Sequence, residues 1–145
     1  MKYLKKYKIF EEDSKSQMDL FDSDVKNNLN NLYFQSVVSE ELDLVKFFLK
    51  LGADVNTENA IDNAIFNRRI FEYLLSKGLD INQLYLNNYS VKNQLYTLET
   101  QKMLIDNNLE NWLYNHKITF HHELKDDPKY STVIDRYESA EKFGL

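Results

Sequence analysis

No cysteine occurs in the 145 residues. That removes disulfides, thiolate nucleophiles and cysteine-ligated zinc or iron–sulfur sites in one step. Glycine occurs three times, at 52, 78 and 144, and proline once. So few turn formers leave little room for loop-rich or all-β architectures, and none for a glycine-rich phosphate cradle. Long apolar runs are also missing. No stretch approaches the roughly 20 residues that span a bilayer, and the opening MKYLKKYKIFEEDSK lacks the apolar core of a secretory signal. The chain reads as soluble and cytoplasmic, with no membrane partner. An excess of positive charge is absent too: 18 basic residues face 23 acidic ones, for a net charge of -5. That balance argues against direct nucleic-acid binding, which needs a basic face. Lys2, Lys5, Lys6 and Lys8 crowd the N-terminus, but Glu11, Glu12, Asp13, Asp19, Asp22 and Asp24 follow and blunt any patch.

What is present is a repeated helix stop. LVKFFLKLGADVN (44–56), IFEYLLSKGLDIN (70–82) and TQKMLIDNNLENW (100–112) align on the pivots Gly52, Gly78 and Asn108, the second step being slightly longer than the first. Apolar residues sit four and three places before each pivot, and an acid (Asp54, Asp80 or Glu110) sits two places after it. Within the first segment Leu44, Val45, Phe48 and Leu49 recur at helical spacing and predict one buried stripe, with Lys46 and Lys50 on the wet side. Glycine then closes the helix in left-handed backbone, and asparagine can do the same less comfortably. Self-similarity at this period predicts stacked helical units.

The segment ELDLVKFFLKLGADVN, together with its two echoes, resembles the second helix and following turn of an ankyrin repeat. The match is strongest over 31–56, good over 70–82 and degenerate over 98–110. The resemblance implies an all-α, ankyrin-like stack of about three helix–turn–helix repeats. First helices are expected near 25–38, 60–67 and 89–96, and second helices near 41–51, 68–77 and 98–107. Two departures stand out. NLYFQSV (31–37) replaces the family's Thr-Pro-Leu-His opening, and both steps between pivots are shorter than the family's usual period, so the β-hairpin fingers must be trimmed. Stacks need covered ends. Residues 1–24, with Phe10, Leu20 and Phe21, are the expected N-terminal cap, followed by repeats over 25–112 and a C-terminal cap over 113–145. In that last region Asp127 suits a helix N-cap, Pro128 the first helical position, and Val133, Ile134, Tyr137 and Ala140 one buried face.

Catalytic chemistry finds little support. His116, His121 and His122, beside Glu123, lack the one-turn helical pairing of zinc hydrolases, and adjacent histidines point apart. No nucleophile elbow is present. A non-enzyme without metal or cofactor is therefore expected. The aromatic share is 14%, and Tyr85, Tyr89, Tyr96, Trp112 and Tyr114 gather in the second half. Such residues either fill a core or anchor an interface. The ankyrin resemblance implies partner binding at the trimmed hairpin tips and the exposed side of the first helices. That selects Glu58, Asn59, Gln83, Tyr85, Asn87 and Tyr89; charge towards a basic target adds Asp62 beside Glu58, and Trp112 and Tyr114 form a second group. The expected function is protein–protein binding by a small acidic inhibitor that blocks another protein with a basic groove. It would be of the immunity type, or a viral or phage anti-defence factor against a nuclease or toxin. A structural homodimer or adaptor, and a metal-dependent enzyme using His116, His121 and His122, are the alternatives; the protein itself is expected to be a monomer or homodimer.

Overall fold

Helix follows helix with no strand among the described residues, which in the computed structural model are 15–142 and Gly144, with side chains from Ser23 onward. Phe10 lies outside the described residues, as do the side chains of Leu20 and Phe21, and with them their expected role in a first cap. Eight α-helices are described: α1 (Lys15–Val38), α2 (Leu42–Leu51), α3 (Ala60–Ala64), α4 (Arg68–Ser76), α5 (Tyr89–Leu95), α6 (Leu98–Asp106), α7 (Glu110–Asn115) and α8 (Pro128–Lys142). Short 3-10 turns at Ile81–Gln83 and His122–Asp126 complete the path. The helix pairs α1–α2, α3–α4 and α5–α6 are the three expected units. One difference is the length of α1, which begins at Lys15 where the spacing predicts a start near 25. The other is α7, a short helix after the third unit where the spacing predicts none.

Each unit is closed by the same backbone device. At Gly52 the amide donates to Leu49 O (3.1 Å), and that of Ala53 reaches back to Phe48 O (3.0 Å). Leu79 to Leu74 (3.0 Å) and Leu109 to Leu104 (2.8 Å) repeat the longer bond after Gly78 and Asn108. These are Schellman caps, in which a residue with positive φ lets two orphan carbonyls of the last turn find donors. Gly52, Gly78 and Asn108 have φ of 114°, 97° and 61°. The same cap occurs twice more, where no glycine or asparagine marks it. Glu41 N bonds Ser36 O (3.0 Å) with Glu40 at φ 58°, and Ile118 N bonds Leu113 O (3.1 Å) with Lys117 at φ 57°.

Between units runs a ladder of asparagines, Asn30, Asn56 and Asn82, evenly spaced along the chain. Asn30 Oδ1 accepts from Asp54 N (2.7 Å), and Asn56 Oδ1 accepts from Asp80 N (2.9 Å). Asn82 Oδ1 accepts instead from the indole Nε1 of Trp112 (3.1 Å). The ladder thus satisfies backbone amides that the turns expose, and it sets the spacing from one unit to the next. In the third unit the longer step removes the amide, and the tryptophan donor replaces it.

The core runs the length of the stack. Tyr33, Val45, Ile61, Phe71, Leu74, Leu95 and Leu104 are fully buried in one continuous cluster. Tyr33 also donates its hydroxyl to Val55 O (2.8 Å); burial, aided by Asp54, keeps that phenol protonated far above its ordinary range. Leu74, four places before Gly78, is buried, with Leu75 packed against the same cluster. Leu44 is not: it stands 41% exposed, although the helical spacing placed it in the buried stripe. Nothing among the described residues precedes α1–α2 in the stack, so the outer side of α2 has no neighbour to pack on.

A second, smaller cluster of Ile105, Leu124, Tyr130 and Ile134 docks α8. Asp127 caps that helix through Lys129 N (2.9 Å), with Pro128 at its first position. Asp106 then staples it to the stack. Its carboxylate, only 15% exposed, receives Arg68 of α4 (2.8 Å), Lys129 (3.0 Å) and the Tyr130 hydroxyl (3.0 Å). Burial alone would raise the Asp106 carboxyl, but these three donors outweigh it and hold it below the usual carboxylate range. Arg68 also pairs with Glu72 (2.8 Å), whose carboxyl is lowered first by Asn107 and then by Arg68.

Candidate partner-binding surface

The segments linking one unit to the next determine what the stack presents. After the Asp54 turn the chain makes one tight bend and starts α3 at Ala60, with Asn59 in left-handed backbone (φ 67°) as its first cap. Glu58 and Asn59 are exposed at this bend. The next link is longer. Asp80 accepts from Asn82 N (3.0 Å), the 3-10 turn Ile81–Gln83 follows, and a turn closed by Asn88 N to Tyr85 O (3.0 Å) leads into α5. Asn88 caps α5 by accepting from both Ser90 N (2.9 Å) and Val91 N (3.2 Å). Neither link forms a strand, so the hairpin fingers are reduced to turns.

The second link holds Gln83, Tyr85, Asn87 and Tyr89, all exposed. Tyr89 is 78% exposed and Tyr85 58%. They flank one hydrogen-bonded turn whose position is fixed from the preceding unit: Asp62 Oδ1 on α3 accepts from Tyr85 N (2.9 Å). In the register set by Gly52 and Gly78, Asn59 and Tyr85 hold equivalent places in adjacent units, so the two links lie side by side on one edge of the stack. Tyr96, at the end of α5, is a further exposed aromatic at 39%. Glu58 has no ion-pair partner among the described residues and leaves a free negative charge on this edge.

Three of the residues selected from the sequence stand differently. Asp62 is half-buried and its carboxylate is engaged by the Tyr85 amide, so it orders the link rather than projecting from it. Trp112 is only 8% exposed: its ring packs on His116 (4.3 Å between centroids) and its indole N–H is held by Asn82. It is a core and ladder residue rather than a surface anchor. Tyr114 is half-buried against Tyr137 of α8, with 4.7 Å between ring centroids.

His116 Nδ1 lies 2.8 Å from Trp112 O, and His121 Nδ1 accepts from Glu123 N (3.1 Å) as a helix cap. Where the sequence predicts that adjacent histidines point apart, the His121 and His122 rings instead stack, with 4.6 Å between centroids. Among the described residues no three His, Asp or Glu side chains form a metal-sized group. A cleft of about 540 Å³ between the 114–120 segment and α8 has Tyr114, Phe120 and Tyr137 in its lining and no histidine.

One residue of structural weight escaped the sequence reading altogether. Gln101 is completely buried, donating to Leu95 O (3.0 Å) and Thr119 O (3.0 Å) while accepting from His121 N (2.6 Å). It ties the end of α5 to the segment before α8. No local pattern distinguishes this glutamine from an exposed one. Lys117 could have been found, because Leu113 and Ile118 repeat the apolar pair that brackets Gly78 as Leu74 and Leu79.

The chain is similar to an ankyrin repeat protein of Acanthamoeba polyphaga mimivirus, 33% identical over 61 residues. The match covers 39% of this chain and 17% of that relative's length. No family model matches the chain, and no solved structure matches it. No described helix is long and apolar enough to cross a membrane.

Proposed function

We propose that this chain is a shortened, non-catalytic ankyrin-type domain of the cytoplasm that binds another protein along the edge formed by its inter-unit links. The contact residues are Glu58, Asn59, Gln83, Tyr85, Asn87 and Tyr89, with Asp62 positioning the second link. One observation carries the reading: Tyr85 and Tyr89 are held out into solvent on a turn that is hydrogen-bonded on both sides. Two large rings exposed on a flexible loop would lose entropy on binding. On an ordered turn that cost is already met, and such tyrosines make efficient anchors. The partner suited to this surface has an apolar seat for the rings and a basic rim. The net charge of -5 draws such a target in and speeds encounter. Covering a basic groove in this way would block it, the action of an inhibitor of a nuclease or toxin. The repeat-protein relative supports the binding class, while fold alone assigns no target.

The test begins with capture of the partner from the native host and purification of the pair. Tyr85→Ala and Tyr89→Ala are each expected to cost about 2 kcal/mol or more of binding energy in folded protein. Glu58→Ala should slow association more than it speeds dissociation, and added salt should erase that difference. Full affinity in all three folded variants would eliminate this edge as the binding surface.

A further inference from the structure

The outer side of α2 carries an apolar stripe that the stack leaves uncovered. Leu44, Phe47 and Leu51 are 41%, 51% and 51% exposed. At about 100° per residue they share roughly 60° of the helix circumference, while Val45, Phe48 and Leu49 turn the other way into the core. Phe47 touches Phe48 edge-on (5.5 Å between centroids) and leaves half of its surface in solvent. Along one margin of the stripe lie Asp43 and Lys50, both exposed, and neither has an ion-pair partner among the described residues. A helix face with three large apolar side chains and two unused opposite charges is built to be covered.

Its spacing favours one occupant. Phe47 stands at the middle of the pattern, with Leu44 three places before it and Leu51 four places after, and with Asp43 four before and Lys50 three after. When a second α2 is laid antiparallel about a two-fold axis at Phe47, the two Phe47 rings meet. Leu44 then faces Leu51 of the copy within about one residue's rise, roughly 1.5 Å, and Asp43 faces Lys50 on the same margin. Because an isologous interface presents the same patch twice, the acid and base must be placed symmetrically about the axis to pair. Here they are. An unrelated partner helix would not require that symmetry, and like charges at these places would forbid self-pairing.

We propose that two copies of this chain associate through the outer faces of α2, antiparallel about a two-fold axis at Phe47. Asp43 and Lys50 form reciprocal ion pairs at its margin. The α1–α2 pairs of the two copies then make one shared layer. The apolar end of each stack is covered, and the Tyr85–Tyr89 edges remain open on both.

Analytical ultracentrifugation of the full chain across a wide concentration range tests this. The wild type should sediment as a monomer–dimer equilibrium. Phe47→Glu should weaken association roughly tenfold or more while leaving helical circular dichroism and melting temperature unchanged, since the residue is half exposed. Asp43→Lys and Lys50→Asp should each weaken the dimer, and the double swap Asp43→Lys/Lys50→Asp should restore it. A wild type that stays monomeric throughout would overturn the proposal, leaving the face to a different protein or to the chain's own segment before Lys15. So would a dimer indifferent to Phe47→Glu, or a double swap that fails to recover association.

Discussion

Replacing Glu40 with glycine should make the protein more stable, against the ordinary rule that glycine weakens a helical protein. Glu40 closes α1 at φ 58°, in a cap identical in its bonds to those at Gly52 and Gly78. A side chain in left-handed backbone costs about 1–2 kcal/mol. Glycine avoids that cost but gives back about 0.4–1 kcal/mol through its freer unfolded chain. The Glu40 side chain is exposed and forms no hydrogen bond or ion pair among the described residues, so nothing else is lost there. The balance is a gain of about 0.5–1 kcal/mol for Glu40→Gly, and the same reasoning holds for Lys117→Gly at φ 57°. Gly78→Val reverses the sign. A Cβ there meets no atom within 4 Å, so the penalty is purely backbone, at φ 97°, and should reach about 1–2 kcal/mol or more for a β-branched residue. Urea unfolding followed by far-ultraviolet circular dichroism measures all three. The expected changes correspond to melting-temperature shifts of about 2–4 °C upward for the two glycine variants. If Glu40→Gly instead lowered the urea midpoint, the cap at the end of α1 would not carry left-handed strain and the common-cap account would fail.

Acid should loosen the C-terminal cap first. Asp106 and Glu72 are carboxyls held below their ordinary values of 3.8 and 4.5, so the stability they add is complete at neutral pH and drains away as pH falls through those values toward the lower folded ones. Urea midpoints between pH 7 and pH 3 should fall less steeply in Asp106→Asn than in the wild type; parallel curves would show that Asp106 titrates alike in folded and unfolded chains. Gln101→Leu should cost about 2–4 kcal/mol, because it leaves the buried Leu95 O without its donor and breaks the bonds to Thr119 O and His121 N. A denaturant titration giving less than about 1 kcal/mol would mean that water replaces the amide.

Much of the fold was legible because its signals are local. A glycine at the end of an apolar helical run needs only its own backbone freedom to stop the helix, so Gly52 and Gly78 marked the units and Asp127–Pro128 marked α8. The left-handed residues Glu40 and Lys117 carry no such freedom. Their conformation is imposed by the carbonyls that the caps must satisfy and by the neighbouring helices. At the proposed partner-binding edge, the sequence pointed to the two links, and tyrosine at 85 and 89 suggested either core or anchor. Only the tertiary structure shows that these rings lie outside the core, because a ring's burial depends on whether another unit lies over it.

The same physical reason governs the remaining differences. Helical periodicity determined which residues share a face, and composition determined that the protein would be helical, acidic and free of thiol chemistry. What covers each face was decided by stacking. Leu44 and Ile70 hold equivalent places before Gly52 and Gly78, yet one is exposed and the other fully buried, because only the second unit has neighbours on both sides. Trp112 looks like an interface anchor in the sequence. In the fold its indole N–H supplies the donor that the longer third repeat removed from the asparagine ladder, which draws the ring inside.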